Sequence, residues 1–131
     1  MKQIINARIL TPQGWIENGS VLVEGSKIAA VMDCSHPVAG AEVIDAKGNV
    51  VAPGGIEIHV HGGGGRDFME GTEEAFKVAV DAHLKHGTTS IFPTLSSSTV
   101  PMIEAAAEAC TKIMNEDPNT PILGLHLEGP Y

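Results

Sequence analysis

The arrangement of apolar residues changes at residues 51–55, where the chain reads VAPGG. Before that point, the apolar segments are short, rich in β-formers and separated by turn-forming pairs such as Asn18-Gly19 and Gly25-Ser26. After it, strand-like segments alternate with longer segments whose apolar residues follow the helical period. The sequence therefore predicts a small antiparallel β unit, followed by repeated βα units that share a parallel sheet.

The boundaries of these elements follow from local signals. Thr72 is predicted to cap the first helix, and Pro93 is expected to confine ladder pairing to the beginning of its strand. Ser98 or Thr99 is predicted to cap the second helix, which stops at Asp117-Pro118. The predicted strands of the first part cover 3–10, 20–24, 28–32, 42–45 and 49–52, and those of the second part cover 56–61, 89–95 and 122–127.

Charge and cysteine content limit the classes of partner. Sixteen acidic residues against eight basic ones give a net charge of -8, and the basic residues are scattered, which argues against a nucleic-acid partner and favours a small molecule. Cys34 and Cys110 are far apart and form no Cys-x-x-Cys pair, so neither a disulfide scaffold nor a thiolate zinc site is expected. With no signal peptide and no run of about 18 apolar residues, we expect no membrane partner and a cytoplasmic location.

Two histidines lie at the end of the first strand of the second part, in the segment EIHVHGGGG (residues 57–65). Because side chains alternate along a strand, His59 and His61 share one face with Glu57. Their Cα atoms are about 6.6 Å apart, close enough for both imidazoles to bind one metal ion. Two ordinary histidines at the rim of a sheet are the alternative, and the glycines fit either a loop or a ligand that approaches the backbone.

Glu128 directly follows the third predicted strand and is expected to project in the same direction as His126. If that strand lies near the first one in a parallel sheet, Glu128 reaches the same C-terminal rim as His59 and His61. A carboxylate with two imidazoles is a suitable ligand set for zinc or iron. A loop acid is the alternative for Glu128, and we expect His126 to pack beside the site rather than to bind metal.

Three segments resemble N-acetylglucosamine-6-phosphate deacetylases of the amidohydrolase superfamily: VAPGGIEIHVHGGGGRDF, HLKHGTTSIFPTL and LGLHLEGPY. The turn-rich opening, NARILTPQGWIENGSVLVEGSKIAAV, also resembles the N-terminal β-sandwich segment of that superfamily. The resemblance implies an α/β fold in which residues 1–52 form the β-sandwich segment. Residues 53–131 would then be the first βα units of a metal-dependent (β/α)8 TIM-barrel hydrolase domain.

The resemblance also implies an activity and a site. The activity is hydrolysis of the acetamide of N-acetylglucosamine 6-phosphate, an amino-sugar phosphate, to glucosamine 6-phosphate and acetate. The implied metal ligands are His59, His61 and Glu128, which would hold one or two divalent ions, zinc or iron. The full-length protein would be a homodimer.

A complete barrel of this class has about 250 residues, so the sequence is expected to be an N-terminal fragment that is inactive alone. No catalytic residue is assigned within it, because the general-base aspartate of the family is expected beyond Tyr131. Two alternatives stay open at this point. One is a cyclic-amide hydrolase of the dihydropyrimidinase kind, and the other is a non-catalytic binding module of 131 residues.

Overall fold

The computed structural model describes residues 1–129, so Pro130 and Tyr131, at the end of the segment predicted to start a barrel, lie outside the described residues. The chain divides into two compact units, the first covering Met1–Pro53 and the second starting at Gly54. The fold is mixed α/β. Within residues 1–129, no helix is long and apolar enough to span a membrane.

The elements alternate in the second unit as the sequence predicts. The helices are α1 (Glu73–Leu84) and α2 (Val100–Glu116), and a 3₁₀ turn covers Phe68–Glu70. The strands are β1 (Lys2–Thr11), β2 (Gly14–Glu24), β3 (Lys27–Met32), β4 (Glu42–Asp45), β5 (Val50–Val51), β6 (Gly55–Val60), β7 (Gly62–Gly63), β8 (Arg66–Asp67), β9 (Thr88–Ser96) and β10 (His126–Glu128).

The first unit is a single five-stranded sheet, in which β3, β2, β1 and β4 are neighbours in that order and β5 also pairs with β1. The expectation of an antiparallel unit is only partly right. β1 pairs antiparallel with β2, but it pairs parallel with β4 and β5. The reason is that the loop after β3 carries the chain back to the start of β1, so that β4 runs in the same direction.

Asn18-Gly19 does not form the predicted turn, because both residues lie inside β2. Asn18 has a φ of 54°, and the register between β1 and β2 shifts on either side of the Ala7–Gly19 pair. A residue with positive φ in a strand is typical of a β-bulge, which keeps the strand paired while changing its direction. Asn18-Gly19 therefore does change the backbone direction, but it does so as a bulge within β2 and not as a turn between strands.

The second unit contains a three-stranded parallel sheet in the order β10-β9-β6. Pro93 does not limit pairing as expected, since β9 continues through it to Ser96. The Val60 N–H donates to the Thr94 side-chain hydroxyl at 2.9 Å. Beside the proline, a side-chain acceptor therefore replaces a backbone acceptor in the pairing of β6 with β9. The strand predicted at 122–127 is largely wrong. Ile122 forms an isolated bridge to Ile91, and regular pairing begins only at His126.

The two helices pack on one face of this sheet, and side chains from the helices and the sheet together form the core of the second unit. Thr72 is the N-cap of α1, as predicted, with its hydroxyl accepting from the Ala75 N–H at 3.2 Å. α2 begins after Thr99 and ends before Asp117, also as predicted, although the Thr99 side chain makes no capping hydrogen bond. The buried core residues of this unit are Phe68, Phe76, Ala79, Val80, Ile91, Leu95, Ala106, Ala109, Cys110, Ile113 and Ile122.

The apolar side chains of β6 are only partly covered. Val60 packs against the core, but Ile56 and Ile58 are 67% and 66% exposed. β6 is an outer strand of the described sheet and pairs only with β9 there. The exposed side chains leave an apolar surface beside an unpaired strand edge.

Candidate metal centre

The candidate site lies where the parallel strands end. His59 is the penultimate residue of β6, and His61 follows the last residue of that strand. Glu128 is the last residue of β10, which lies on the other side of β9. Because parallel strands end at the same edge of a sheet, side chains from the two outer strands meet over the central one.

The three predicted ligand side chains converge. The His61 Nε2 lies 3.0 Å from the Glu128 Oε2, and the His59 Nε2 lies 3.3 Å from the same oxygen. One ligand atom from each of the three residues lies within 4.8 Å of the others. The side chains are about half exposed, at 46% for His59, 41% for His61 and 52% for Glu128. The cluster is thus open to a small molecule.

Glu57, which shares the strand face of the two histidines, does not join them. Its carboxylate accepts a hydrogen bond from the backbone N–H of His59 at 3.2 Å. Arg66, after the glycines, pairs with Glu70 at 2.9 Å and with Glu74 at 2.7 Å. The two carboxylates raise the pKa of its guanidinium, Glu70 contributing more. Arg66 therefore bridges the 3₁₀ turn and α1, which accounts for its charge without an anionic ligand.

Two hydroxyl groups on the central strand contact the histidines, and sequence reasoning assigned them no such role. The Ser96 Oγ lies 3.1 Å from the His61 Nδ1, and the Thr94 Oγ1 lies 3.2 Å from the His126 Nδ1. Thr94 and Ser96 are two positions apart, so strand alternation places both on one face. That spacing is the signal that could have found them, but Pro93 suggested that regular ladder pairing had already stopped before these positions.

His126 takes the supporting place that the sequence predicts. It is half-buried, and its ring packs edge to face on that of His59, with ring centroids 4.8 Å apart. The parallel register pairs His126 with Thr94 and Glu128 with Ser96. His126 therefore lies one layer below Glu128, beneath the cluster.

The glycine run serves close packing. Gly62–Gly63 and Arg66–Asp67 form a small hairpin. A Cβ at Gly62 would overlap the backbone carbonyl of Arg66, and a Cβ at Gly63 would lie 2.9 Å from the His83 Nε2. The same His83 nitrogen lies 3.0 Å from the Gly62 carbonyl oxygen. The hairpin is thus held against α1, and His83 has a structural role.

A cavity of about 610 Å³ lies elsewhere, within the first unit. Apolar side chains such as Trp15, Ile28 and Val31 line it, and none of its lining residues within the described chain is titratable. Arg8 lies over the Trp15 ring, 4.2 Å from its centroid. Size alone does not make this cavity the reactive site, since it lacks groups that could bind a metal ion or move a proton.

A βαβαβ unit with two imidazoles and a carboxylate at the C-terminal rim is a setting typical of metal-dependent hydrolases. The comparison with known families agrees with this class. The profile described as Amidohydrolase family matches residues 50–131, and the chain belongs to that family.

The resemblance to N-acetylglucosamine-6-phosphate deacetylases is also confirmed. The chain is 32% identical to one from Haemophilus influenzae over 98% of this chain and 34% of that protein. It is 28% identical to an N-acetylgalactosamine-6-phosphate deacetylase from Escherichia coli O157:H7, over 100% of this chain and 34% of that protein. The crystal structure of N-acetylglucosamine-6-phosphate deacetylase from Pasteurella multocida superposes with a TM-score of 0.89 and 30% identity, over 99% of this chain and 34% of that one. The chain therefore spans about a third of the length of these relatives.

Proposed function

We propose that this chain supplies the first part of a metal-dependent deacetylase, in which His59, His61 and Glu128 bind a divalent cation. The observation that carries the proposal is the convergence of these three side chains within 4.8 Å at the ends of β6 and β10. Membership of the Amidohydrolase family supports it independently. The proposed reaction of the full-length protein is hydrolysis of the acetamide of N-acetylglucosamine 6-phosphate.

The donor set fits zinc or iron. Two ligand atoms bound at about 2.1 Å to a tetrahedral cation lie about 3.4 Å apart. The two histidine nitrogens lie 3.3 and 3.0 Å from the Glu128 oxygen, so small movements would admit an ion. The same distances also suit hydrogen bonds from imidazole N–H groups to a carboxylate. A measurement of zinc binding is therefore needed to distinguish a metal site from a hydrogen-bonded cluster.

When bound, a divalent cation supplies Lewis acidity, which polarises an amide carbonyl and makes a water molecule a better nucleophile. The residues of this chain would hold the cation in place. His59 lies in β6, His61 follows that strand directly, and Glu128 ends β10, so the backbone sets their spacing. The described cluster contains no separate carboxylate placed to act as general base, and we propose that the rest of the full-length protein supplies it. The fragment alone is then inactive.

The proposed architecture is the start of a (β/α)8 barrel. Its support is the alternation β6-α1-β9-α2-β10 around a parallel sheet whose outer strands leave their edges open. The division of the chain between Pro53 and Gly54 supports a boundary between residues 1–52, the proposed β-sandwich segment, and residues 53–131, the proposed barrel segment. A homodimer of the full-length protein and a cytoplasmic location stay predictions.

Removal of single ligands tests the metal site. We expect His59→Ala, His61→Ala and Glu128→Ala each to weaken zinc binding to the 131-residue chain by about 100-fold or more, a larger loss than is typical of groups that only support the ligands. His86→Ala is the matched control, because it removes an exposed histidine that follows α1. Isothermal titration with zinc chloride gives the affinities. Equal affinity in the ligand variants and the control would overturn the site.

An assay of the complete gene product tests the reaction. We expect acetate release from N-acetylglucosamine 6-phosphate, and loss of that release after Glu128→Ala. N-acetylgalactosamine 6-phosphate tests the sugar specificity suggested by the relative from Escherichia coli. Dihydrouracil tests the alternative of a cyclic-amide hydrolase. Turnover of dihydrouracil without release of acetate from either sugar would replace the proposed reaction with the alternative.

A further inference from the structure

We infer that Ser96 is a positioning residue that holds the His61 ring in the orientation needed to bind a cation; this inference rests on the proposed function. The Ser96 Oγ lies 3.1 Å from the His61 Nδ1, and the His61 Nε2 lies 3.0 Å from the Glu128 Oε2. Both ring nitrogens of His61 are therefore engaged. An imidazole held at both nitrogens has little freedom to rotate about its side-chain bonds.

A hydroxyl group suits this position because it both donates and accepts hydrogen bonds. With no cation bound, an ionised Glu128 carboxylate can only accept, so a neutral His61 ring carries its hydrogen on Nε2 and its Nδ1 accepts from the Ser96 O–H. With a cation, the Nε2 lone pair is needed as the ligand, so the hydrogen lies on Nδ1 and is donated to the Ser96 Oγ. The same side chain thus supports His61 in both states, which an ionised carboxylate or an ammonium group could not do.

The backbone fixes Ser96 at the right distance. Ser96 is the ladder partner of Glu128 in the parallel pairing of β9 with β10. The Ser96 side chain therefore lies between a residue that follows β6 and a residue of β10. Ser98, two positions further on, is engaged elsewhere, since its hydroxyl donates to the Met102 Sδ at 3.3 Å.

Three variants of the 131-residue chain test this role: Ser96→Ala, Ser96→Thr and the control Ser98→Ala. Zinc affinity is measured by titration with zinc chloride. The ¹⁵N shifts of the His61 ring nitrogens are measured by NMR without zinc, a readout that does not depend on activity. We expect Ser96→Ala to weaken zinc binding by about 10- to 100-fold and to change the shift of the His61 Nδ1, because a hydrogen-bonded partner of a ligand is lost. Ser96→Thr should restore both properties, and Ser98→Ala should leave both unchanged.

The outcomes separate this inference from the proposed function. If His59→Ala and Glu128→Ala weaken zinc binding while Ser96→Ala binds zinc as tightly as Ser98→Ala, the role of Ser96 is wrong and the metal site stands. If Ser96→Ala weakens binding but Ser96→Thr does not restore it, the hydroxyl is not the cause, and the inference is again wrong. If none of the ligand variants weakens zinc binding, the proposed site and the role of Ser96 fail together.

Discussion

The Glu128 Oε2 lies 3.0 Å from the His61 Nε2, although Glu128 ends one outer strand of a three-stranded sheet and His61 follows the other outer strand. The central strand β9 separates them, and its parallel pairing with both neighbours brings the two strand ends to one edge. A carboxylate and an imidazole at this distance are a hydrogen-bonded pair without a cation and two neighbouring ligands with one. The chemistry of the site therefore depends on strand register as much as on residue type.

Substitution of Gly62 should destabilise the hairpin that follows the two histidines. In Gly62→Ala the new Cβ would overlap the Arg66 carbonyl and lie 2.9 Å from the Asp67 Cα, so backbone must move. We expect the free energy of unfolding to fall by about 1–3 kcal/mol, as in other overpacked sites.

Gly55→Ala is the matched control, because its Cβ would meet its nearest neighbour at 3.6 Å, an ordinary contact. Its effect should stay within about 0.5 kcal/mol. Urea unfolding followed by circular dichroism measures both variants. Equal stability of the two would show that the hairpin does not need a glycine at position 62.

Loss of the Thr72 cap should weaken α1. The Thr72 hydroxyl accepts from the Ala75 N–H, so Thr72→Ala leaves that donor without its side-chain partner. We expect a loss of about 1 kcal/mol in unfolding free energy, and Thr72→Ser should retain most of the stability because serine caps equally well. Urea unfolding of the three proteins is the measurement. A serine variant as unstable as the alanine variant would rule out capping as the cause.

The two cysteines should react at different rates with a thiol reagent. Cys110 is buried in the core, and its burial raises the pKa of its thiol to about 11, so little thiolate is present or accessible at pH 8. Cys34 is half-buried and free. We expect iodoacetamide to label Cys34 first, as followed by mass spectrometry of the native chain. Cys110→Ala should leave the fast phase unchanged, whereas Cys34→Ser should remove it.

Acid should weaken the contact between α1 and α2 through Glu73. Hydrogen bonds from Lys112 and then from Lys77 lower the pKa of the Glu73 carboxyl from its ordinary value of 4.5. A lowered pKa means that the ionised form stabilises the fold. Its contribution is complete above pH 4.5 and is lost as the pH falls through the lower folded value.

Unfolding free energy measured from pH 6 down to pH 3 checks this dependence. Glu73→Gln should reduce stability at pH 6 and make the decline towards low pH shallower. Glu108→Gln, at an exposed position on α2, is the control and should follow the unsubstituted chain. An unchanged pH dependence in Glu73→Gln would show that Glu73 is not the source of the acid-dependent loss of stability.

Local signals predicted the helices well. Thr72 and the Asp117-Pro118 pair lie at the helix boundaries because a cap and a stop act through neighbouring residues only. The strands were less predictable. Asn18-Gly19 forms a bulge inside β2, and β9 continues through Pro93, since in both cases the pairing strand decides whether a turn-forming residue ends the strand.

The candidate ligands were predictable because they depend on alternation within a strand. His59 and His61 share a face for that reason, and Glu128 projects from the end of its own segment. The contacts of Ser96 and Thr94 with histidines were missed. The Thr94 contact depends on how β9 pairs with β10, and the Ser96 contact depends on how β9 pairs with β6; both registers are set by segments far apart in the chain.

The sequence by itself determined the candidate donor atoms, the strand faces that present them and the two helices of the second unit. It did so because alternation along a strand and capping of a helix depend on residues only a few positions apart. Only the tertiary structure decided that β1 pairs parallel with β4, that Ile56 and Ile58 stay exposed, and that Ser96 lies between His61 and Glu128. Those features depend on the pairing and packing of distant segments, whose relative placement no local pattern specifies.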